Sequence, residues 1–391
     1  MSSRSYLTAD EAVALLGVRK PTLYAYVSRG LIRSRAVAGS RAREYAAADV
    51  RRMVAGKQAR RNPRKAVREA LGMRGLPVLR SSLSAIEGGR LYYRGHEVTE
   101  LAAAHDFESV VGMLWGAWPA EVLPPRGGRR GGDAPLLARL QQRVIADDAR
   151  DPAARSLQPP SVRRVGASML RRMVAEVCGV APSTAPLAEQ LAHAWGVSSP
   201  DVLDAALILC ADHGLNVSAF TARCVASAGA SAPMVVAAGL AALSGRRHGG
   251  HTPRVAAMFD ARGPVVRIIA RHVERDGELP GFGHALYPHG DPRASALLSL
   301  ARPSPALRRA RRFVQAAGEQ VGVLPTLDFG LVTLCRSVGA PADAPLALFA
   351  LGRTAGWVAH ALEQYETGTL IRPRAEYVGP SPDAPDAWPA P

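Results

Sequence analysis

The chain has 391 residues, of which 48% are hydrophobic and 21% are charged. This composition excludes an intrinsically disordered protein and leaves room for two or three domains with a large buried core. The net charge is +16, and residues 1–68 contain 16 Lys and Arg against four Asp and Glu, a surplus that the remaining residues do not share. The asymmetry predicts a separate basic module, with a polyanionic partner or with a merely solvated surface.

The cysteines and the apolar segments exclude several further classes. The four cysteines are widely spaced and form no CxxC pair, so we expect neither a metal site nor a redox dithiol. The N-terminus lacks the apolar core of a signal peptide, and the predicted location is the cytoplasm. Residues 224–245 are uncharged and long enough to raise the question of a membrane span. Because Ser, Gly and Pro233 interrupt this run, we expect a buried core helix and no membrane association.

Residues 6–55 are predicted to form two helices followed by a short wing. Thr8 and Glu11 have the spacing of a capping box, in which each side chain accepts a free N–H at the start of a helix. Gly17 is placed to end this first helix. The second helix is predicted to begin near Pro21, because proline suits a first turn that needs no amide donor.

The wing is predicted at residues 34–41, with arginines at its tip, and a helix resumes at Asp49. The motif of the whole head is Leu7-Thr8-x-x-Glu11-Ala12-x-x-Leu15-Leu16-Gly17-Val18, followed by Tyr24-x-x-x-x-x-Gly30-Leu31-Ile32. With this motif the head resembles the winged helix-turn-helix domain of the MerR and excisionase type.

The resemblance implies DNA binding, with the second helix in the major groove and the wing on the phosphates. The candidate DNA-binding residues are Arg19, Lys20, Thr22 and Tyr24 on the helix, and Arg41 and Arg43 on the wing. A head retained only as a structural or protein–protein module is the alternative. Residues 56–70 are a basic connector that contains Pro63, so the first domain is predicted to span residues 1–70.

The body of the chain is predicted to be mainly helical. From residue 76, extended segments flank a Gly88-Gly89 turn, and helices are expected at 98–104 and 107–115. Helical periodicity then dominates, with apolar residues at Leu203-Ala206-Leu207-Leu209 and Val235-Ala238-Leu240-Leu243. Neither a Walker loop nor a GxGxxG fingerprint is present, so the sequence does not indicate a nucleotide-binding fold of those kinds.

Eight motifs follow one another along this body. They are Ile86-Glu87-Gly88-Gly89-Arg90-Leu91-Tyr92-Tyr93-Arg94-Gly95, Ala211-Asp212-His213, His248-Gly249-Gly250, Gly281-Phe282-Gly283-His284, Asp291-Pro292-Arg293, Asp328-Phe329, Arg353-Thr354-Ala355-Gly356-Trp357 and Arg372-Pro373-Arg374. With these motifs, the chain from residue 76 to its C-terminal tail resembles citrate synthase. The resemblance implies an all-α homodimer in which a small domain (residues 251–345) is inserted into a large one (71–250 and 346–380).

The family pattern assigns the chemistry to three residues. Asp328 would be the base that removes a proton from the methyl group of a thioester, a very weak acid. His248 would be the neutral donor to the thioester oxygen, and His284 would donate to the ketone of oxaloacetate. Hydrolysis of the citryl thioester would follow in the same site. Taken singly, each of these histidines would instead be an ordinary polar residue.

The resemblance also implies how the substrates bind. Guanidinium groups match the two carboxylates of oxaloacetate, and Arg293, Arg353 and Arg372 take those places, the last from the other subunit. His213 would add a further contact to oxaloacetate. No tightly bound cofactor is implied, because acetyl-CoA is a substrate. Closure of the small domain would exclude water.

Two stretches depart from the family pattern. The usual His-Ala-Asp-His-Glu is here Cys210-Ala211-Asp212-His213-Gly214, and the usual Ala-Asn-Glu after His248-Gly249-Gly250 is His251-Thr252-Pro253, with Arg254 beyond. These changes could alter substrate preference, rate or hinge motion. We therefore expect an acyltransferase that makes citrate from acetyl-CoA. The alternatives are a 2-methylcitrate synthase that uses propionyl-CoA, a DNA-binding regulator whose body senses a metabolite, and a protein with both roles.

Overall fold

The structure is a computed structural model of the chain. It describes residues 6–28, 31–36, 42–47, 49–50, 53, 79–119, 134–246, 248–373 and 377–378. The chain divides into two compact units, Met1–Pro77 and Val78–Pro391. The boundary predicted near residue 70, the basic connector and the tip of the wing with Arg41 lie outside the described residues.

The described residues of the first unit include two helices and a small antiparallel sheet. Its elements are β1 (Tyr6–Leu7), α1 (Ala9–Leu16), α2 (Lys20–Ser28), β2 (Ser34–Ala36) and β3 (Arg43–Ala46). The strand order is β1-β3-β2, so that β2 and β3 form a hairpin. Apolar side chains of both helices and of the sheet form one core, which includes Ala12, Leu16, Leu23, Ile32 and Tyr45.

Local sequence signals set the start and the end of α1. The Thr8 hydroxyl accepts the amide N–H of Glu11 at 3.3 Å, and the Glu11 carboxylate accepts that of Thr8 at 2.8 Å. The predicted capping box is therefore confirmed. Gly17 has φ of 60°, a left-handed conformation, and its N–H bonds back to Val13. The residue thus ends α1 as predicted.

The second unit begins with a three-stranded meander and continues as helices. The strands are β4 (Ser84–Glu87), β5 (Arg90–Tyr93) and β6 (His96–Glu97), paired in that order. The described part of this unit contains fourteen α-helices: α3 (Val98–Ala104), α4 (Phe107–Trp115), α5 (Leu136–Arg150), α6 (Pro159–Cys178), α7 (Leu187–Trp195), α8 (Asp201–Cys210), α9 (Val217–Ser227), α10 (Ala232–Leu243), α11 (Thr252–Asp260), α12 (Val265–Asp276), α13 (Pro292–Leu300), α14 (Pro305–Val321), α15 (Leu327–Ser337) and α16 (Ala344–Thr367). Two 3₁₀ turns lie at Pro152–Arg155 and Gly249–His251. The predicted Gly88-Gly89 turn and the helices predicted at 98–104 and 107–115 are confirmed.

Helix α16 lies within the larger of the two hydrophobic cores that the described part of this unit contains, and it is buried along most of its length. It packs closely against α8. A Cβ at Gly356 would lie 2.2 Å from the carbonyl oxygen of Ala211, so only glycine permits this approach. The close packing positions the polar side chains that α16 carries.

The second core is smaller and joins α11, α12, α14 and α15. It includes Val255, Phe259, Ile269, Phe313 and Phe329, whose side chains are buried. The predicted small domain, residues 251–345, contains all of this core. Its limits stay a prediction, because other side chains in the same range, Leu297 and Leu334 among them, belong to the larger core.

The single buried helix that we expected at residues 224–245 is wrong. The run is divided between α9 and α10, and Gly229 has φ of 76° in the turn between them. A left-handed glycine ends one helix, and Pro233 lies in the first turn of the next. Among the described residues, no helix combines the length and the apolar character that a membrane crossing requires.

Two partly buried carboxyl groups join helices of the larger core. Asp204 of α8 accepts the amide N–H of Phe107, the first residue of α4, at 2.9 Å. Glu108 accepts the amide N–H of Leu187, the first residue of α7, at 2.7 Å. Burial raises the pKa of Asp204 to about 7. The folded protein therefore favours the neutral form of this group.

We expect Asp204→Asn to change the pH dependence of stability. The stability that the protonated Asp204 contributes is fully present below its ordinary pKa of 3.8 and is lost as pH rises through about 7. Asparagine keeps an oxygen acceptor and cannot ionise. The wild-type free energy of unfolding, relative to that of the variant, should fall by about 1 to 2 kcal/mol between pH 5 and pH 8, a figure reduced for partial exposure.

Urea denaturation at both pH values measures this difference. Asp201→Asn is the matched control, because Asp201 is exposed in the first turn of the same helix. The control should keep the wild-type pH dependence. An Asp204→Asn variant that also keeps it would contradict the prediction.

Candidate active site

Two chain segments pair beside the start of α15. The amide N–H of Gly283 donates to the carbonyl of Leu324 at 2.8 Å, and that of Thr326 donates to the carbonyl of Gly281 at 2.8 Å. His284 follows this pairing directly. The backbone bonds therefore bring one predicted reacting group to the helix that carries another.

Asp291 fixes the geometry between α13 and α15. Its carboxylate accepts Nε and Nη2 of Arg293 at 2.9 and 2.8 Å. The same carboxylate accepts the amide N–H of Leu327, the first residue of α15, at 3.0 Å. Burial opposes ionisation of this carboxyl, but the adjacent guanidinium outweighs it and holds the pKa of Asp291 below its ordinary value. The pair is thus charged and buried, and it holds the starts of two helices together.

His284 lies against two other rings. The centroid of its ring is 5.3 Å from that of His213 and 5.1 Å from that of Tyr287, and the Tyr287 hydroxyl lies 2.8 Å from Nε2 of His213. The amide N–H of Leu286 donates to Nδ1 of His284 at 3.2 Å. In the neutral ring the proton is therefore on Nε2, which is free to donate to a ligand.

Burial and a nearby positive charge keep these two imidazoles neutral. Burial, aided by the guanidinium of Arg293, lowers the pKa of His284 to about 4. The same causes lower the pKa of His213 well below its ordinary value. Both rings are uncharged at neutral pH and can donate hydrogen bonds without carrying charge into the site.

His248 lies in the turn between α10 and α11. Its Nε2 is 2.6 Å from the hydroxyl of Ser218, a buried residue of α9. Burial, aided by the charge of Arg353, lowers the pKa of His248 to about 3. The following Gly249 is required by packing, because a Cβ there would lie 2.7 Å from the carbonyl oxygen of Leu243.

Arg353 is buried in α16 with one unpaired nitrogen. Its Nε donates to the carbonyl of Cys210 at 2.8 Å, while its buried Nη1 has no hydrogen-bond partner among the described residues. Burial lowers the pKa of this guanidinium. A buried donor without an acceptor is costly, so this nitrogen is suited to an anionic ligand.

Asp328 is the second residue of α15 and is half-buried. The helix N-terminus favours its negative charge. One carboxylate oxygen, Oδ1, accepts a hydrogen bond from the hydroxyl of Thr252 in the first turn of α11. This bond connects the carboxylate to the segment that contains His248.

Described contacts therefore join some of the predicted site residues to one another, but not all of them. Ring contacts join His213 to His284, and the charges of Arg293 and Arg353 act on these rings and on His248. Asp328 is joined to the His248 segment through Thr252. Arg372 is exposed in the extended segment after α16, and no described contact joins it to the others.

Several residues of this arrangement have no role in the sequence-based prediction. Ser218 and Tyr287 contact predicted histidines, Asp291 pairs with a predicted arginine, and Thr252 contacts the predicted base. Only Asp291 lay within a motif that signalled it. His251, which belongs to one of the two departures from the family pattern, accepts the amide N–H of Gly281 at 3.0 Å. No group of side chains in the described ranges could hold a metal ion.

We expect Asp291→Ala to destabilise the protein by about 3 to 5 kcal/mol, because it leaves the buried charge of Arg293 without its partner. The double variant Asp291→Ala/Arg293→Met should be more stable than the single variant, since it removes the unpaired charge. Urea denaturation gives both values.

Asp260→Ala is the control for this measurement. Asp260 pairs with Arg336 at 2.9 Å, but its side chain is 50% exposed. An exposed ion pair contributes about 1 kcal/mol or less. Equal effects of Asp291→Ala and Asp260→Ala would show that the buried pair is not structurally important.

Comparisons with known proteins show what the chain is similar to. The family model described as citrate synthase, C-terminal domain, matches residues 139–374. The citrate synthase of Haloferax volcanii is 31% identical over 364 residues, which cover 79% of this chain and 95% of that protein. The 2-methylcitrate synthase 2 of Corynebacterium glutamicum is 29% identical over 345 residues, 75% of this chain and 90% of that protein.

The fold also agrees with solved structures. The crystal structure of citrate synthase from Thermotoga maritima MSB8 superposes with a TM-score of 0.65 and 26% identity, and covers 82% of this chain and 97% of that one. The predicted mainly helical fold of the body is therefore confirmed.

Proposed function

The chain belongs to the citrate synthase family, and on this premise we propose that it condenses acetyl-CoA with oxaloacetate to give citrate and CoA. Its relatives include citrate synthases and 2-methylcitrate synthases. The choice of acetyl-CoA over propionyl-CoA is therefore part of the proposal. The observations that support it best are the buried Nη1 of Arg353, which has no hydrogen-bond partner among the described residues, and the ring contact between His213 and His284.

The first step is removal of a proton from the methyl carbon of the thioester. The carboxylate of Asp328 takes this proton, and the developing enolate oxygen accepts a hydrogen bond from His248. When the hydroxyl of Ser218 donates to Nε2 of His248, the neutral ring carries its proton on Nδ1, which then faces the enolate. The low pKa of the ring, about 3, keeps it in this neutral form.

The second step is attack of the enolate carbon on the ketone of oxaloacetate. The carbonyl oxygen receives the hydrogen bond, and then the proton, from Nε2 of His284. The unpaired Nη1 of Arg353 and the guanidinium of Arg293 bind the substrate carboxylates. Arg372 is exposed within its own chain, and we place it in the site of a second copy in a homodimer. Water then hydrolyses the citryl thioester and releases CoA.

We expect Asp328→Asn to lower kcat by about a hundredfold to ten-thousandfold, because the amide cannot take the methyl proton. The measurement is oxaloacetate-dependent release of the CoA thiol, with acetyl-CoA and propionyl-CoA compared side by side. Asp343→Asn is the matched control, since Asp343 is exposed and also lies at the start of a helix; its kcat should equal that of the wild type.

Two outcomes would overturn parts of this proposal. Wild-type release no faster than that of Asp328→Asn, with either thioester, would exclude the enzyme and favour a regulator whose body only senses a metabolite. A larger kcat/KM with propionyl-CoA would leave the mechanism in place and assign 2-methylcitrate as the product.

We propose DNA binding by residues 1–70 as a second function. The supporting observation is the arrangement of α1, the Gly17 turn, α2 and the β2–β3 hairpin, which is that expected of a winged helix-turn-helix. In this proposal α2 enters the major groove. In the free protein Arg19, which directly precedes α2, and Tyr24 are exposed, and Thr22 is half-buried. A homodimeric body would supply two such heads to the half-sites of a palindrome.

Two of the proposed DNA contacts already have partners within the head. The Lys20 ammonium lies 2.7 Å from the Asp10 carboxylate, and Arg43 donates to the Ser34 hydroxyl at 3.0 Å. Exposed pairs of this kind contribute little free energy, so a phosphate can replace the partner. Arg19 has the more direct role in this proposal because it is exposed beside the first turn of α2.

We expect the full-length protein to bind duplex DNA with an affinity that falls as salt rises. Fluorescence anisotropy over a salt series gives the slope of log K against log[salt]. Arg19→Ala should reduce the magnitude of this slope by about one if Arg19 contacts a phosphate. Arg308→Ala removes an exposed arginine of the body and should leave the slope unchanged. An affinity that does not change with salt concentration would contradict this proposal, and so would a slope that both variants change equally.

A further inference from the structure

The residues directly after His248-Gly249-Gly250 contact the two other segments that carry reacting groups. The hydroxyl of Thr252 donates to Oδ1 of Asp328, and Nε2 of His251 accepts the amide N–H of Gly281 at 3.0 Å. His251 and Thr252 stand where the citrate synthase pattern has Ala and Asn. The contacts are therefore made by side chains in which this chain departs from that pattern.

We propose that Thr252 is a positioning residue for the carboxylate of Asp328, an inference that rests on the proposed synthase function. A carboxylate on a short side chain can rotate and present either oxygen to the substrate. The hydrogen bond to Oδ1 fixes this rotation and leaves Oδ2 to take the methyl proton.

The position of the Thr252 hydroxyl is itself well determined. Thr252 is 1% exposed, so its hydroxyl has little access to solvent. Its β-branched side chain has few allowed rotamers in a helix. On either side, His251 bonds to Gly281 and Arg254 pairs with Glu278 at 3.0 Å, which holds the first turn of α11 against residues 278–281.

The same contacts relate the base to His284. Gly281 accepts the amide N–H of Thr326 through its carbonyl and donates its own N–H to His251. The start of α11 is thus joined to the segment that precedes His284 and to the helix that carries Asp328. Thr252 thus positions the carboxylate of Asp328 relative to the same backbone segments that position His284, the proton donor of the second step.

The test compares Thr252→Val, which removes the hydroxyl at nearly constant shape, with Thr252→Ser, which keeps it. We expect Thr252→Val to lower kcat by about tenfold to a hundredfold, with the KM for oxaloacetate within about twofold of wild type. Thr252→Ser should restore kcat to within about threefold.

Thr333→Val is the matched control. Thr333 is buried in the same helix as Asp328, and its hydroxyl donates to the carbonyl of Phe329 at 2.9 Å, one turn earlier. This variant removes a buried hydroxyl without touching the base, so its kcat should be that of the wild type. Urea denaturation of all three variants separates loss of folding from loss of activity.

The outcomes distinguish this inference from the function on which it rests. Normal wild-type turnover together with an unchanged kcat in Thr252→Val would overturn the role of Thr252 alone. Equal losses of kcat and stability in the Val and Ser variants would show a structural role and overturn it as well. Absence of CoA release by the wild-type protein would overturn the synthase proposal, and this inference with it.

Discussion

The buried ion pair between Asp291 and Arg293 is the interaction on which the site depends. One carboxylate accepts two guanidinium nitrogens and the amide N–H of Leu327. Burying two charges is costly unless the remaining donors and acceptors are satisfied, and here the backbone amide supplies the additional bond. The pair therefore holds the beginnings of α13 and α15 in one arrangement, with Asp328 adjacent to the amide that is held and His284 a few residues before the carboxylate.

The positive charges of Arg293 and Arg353 have two effects on the site, and a bound substrate would use both. Arg293 and Arg353 supply donors for carboxylates, and they also lower the proton affinity of His213, His248 and His284, whose rings are already disfavoured as cations by burial. In the proposed reaction, a bound dianion would offset part of this positive charge. In the free enzyme the histidines would be neutral hydrogen-bond donors. Once oxaloacetate is bound, they would accept a proton more readily, which suits groups that exchange protons during turnover.

Features set by neighbouring residues were predictable from the sequence, and contacts between distant residues were not. The capping box of Thr8 and Glu11 and the helix Val98–Ala104 depend on spacings of a few residues and were placed as expected. The bond of Ser218 to His248 spans 30 residues, and that of Thr252 to Asp328 spans 76. No local period signals such pairs. The family motifs indicated which histidines and arginines to consider, but not which neighbours fix their tautomers and charges. Composition likewise failed to separate α9 from α10, because an uncharged run has the same appearance with or without a turn.

The two departures from the family pattern have different physical consequences. Cys210 and Gly214 contribute through the main chain: the carbonyl of Cys210 accepts Nε of Arg353, and the amide of Gly214 donates to the hydroxyl of Ser84 at 3.0 Å. Neither contact uses a side-chain atom, and the residue at 214 acts only through the backbone, because its φ of 61° favours glycine. His251 and Thr252 contribute through side-chain atoms, so a change of residue there changes the contact itself. Any property that distinguishes this chain from its relatives in the step that removes the methyl proton is therefore expected to depend on the second departure rather than the first.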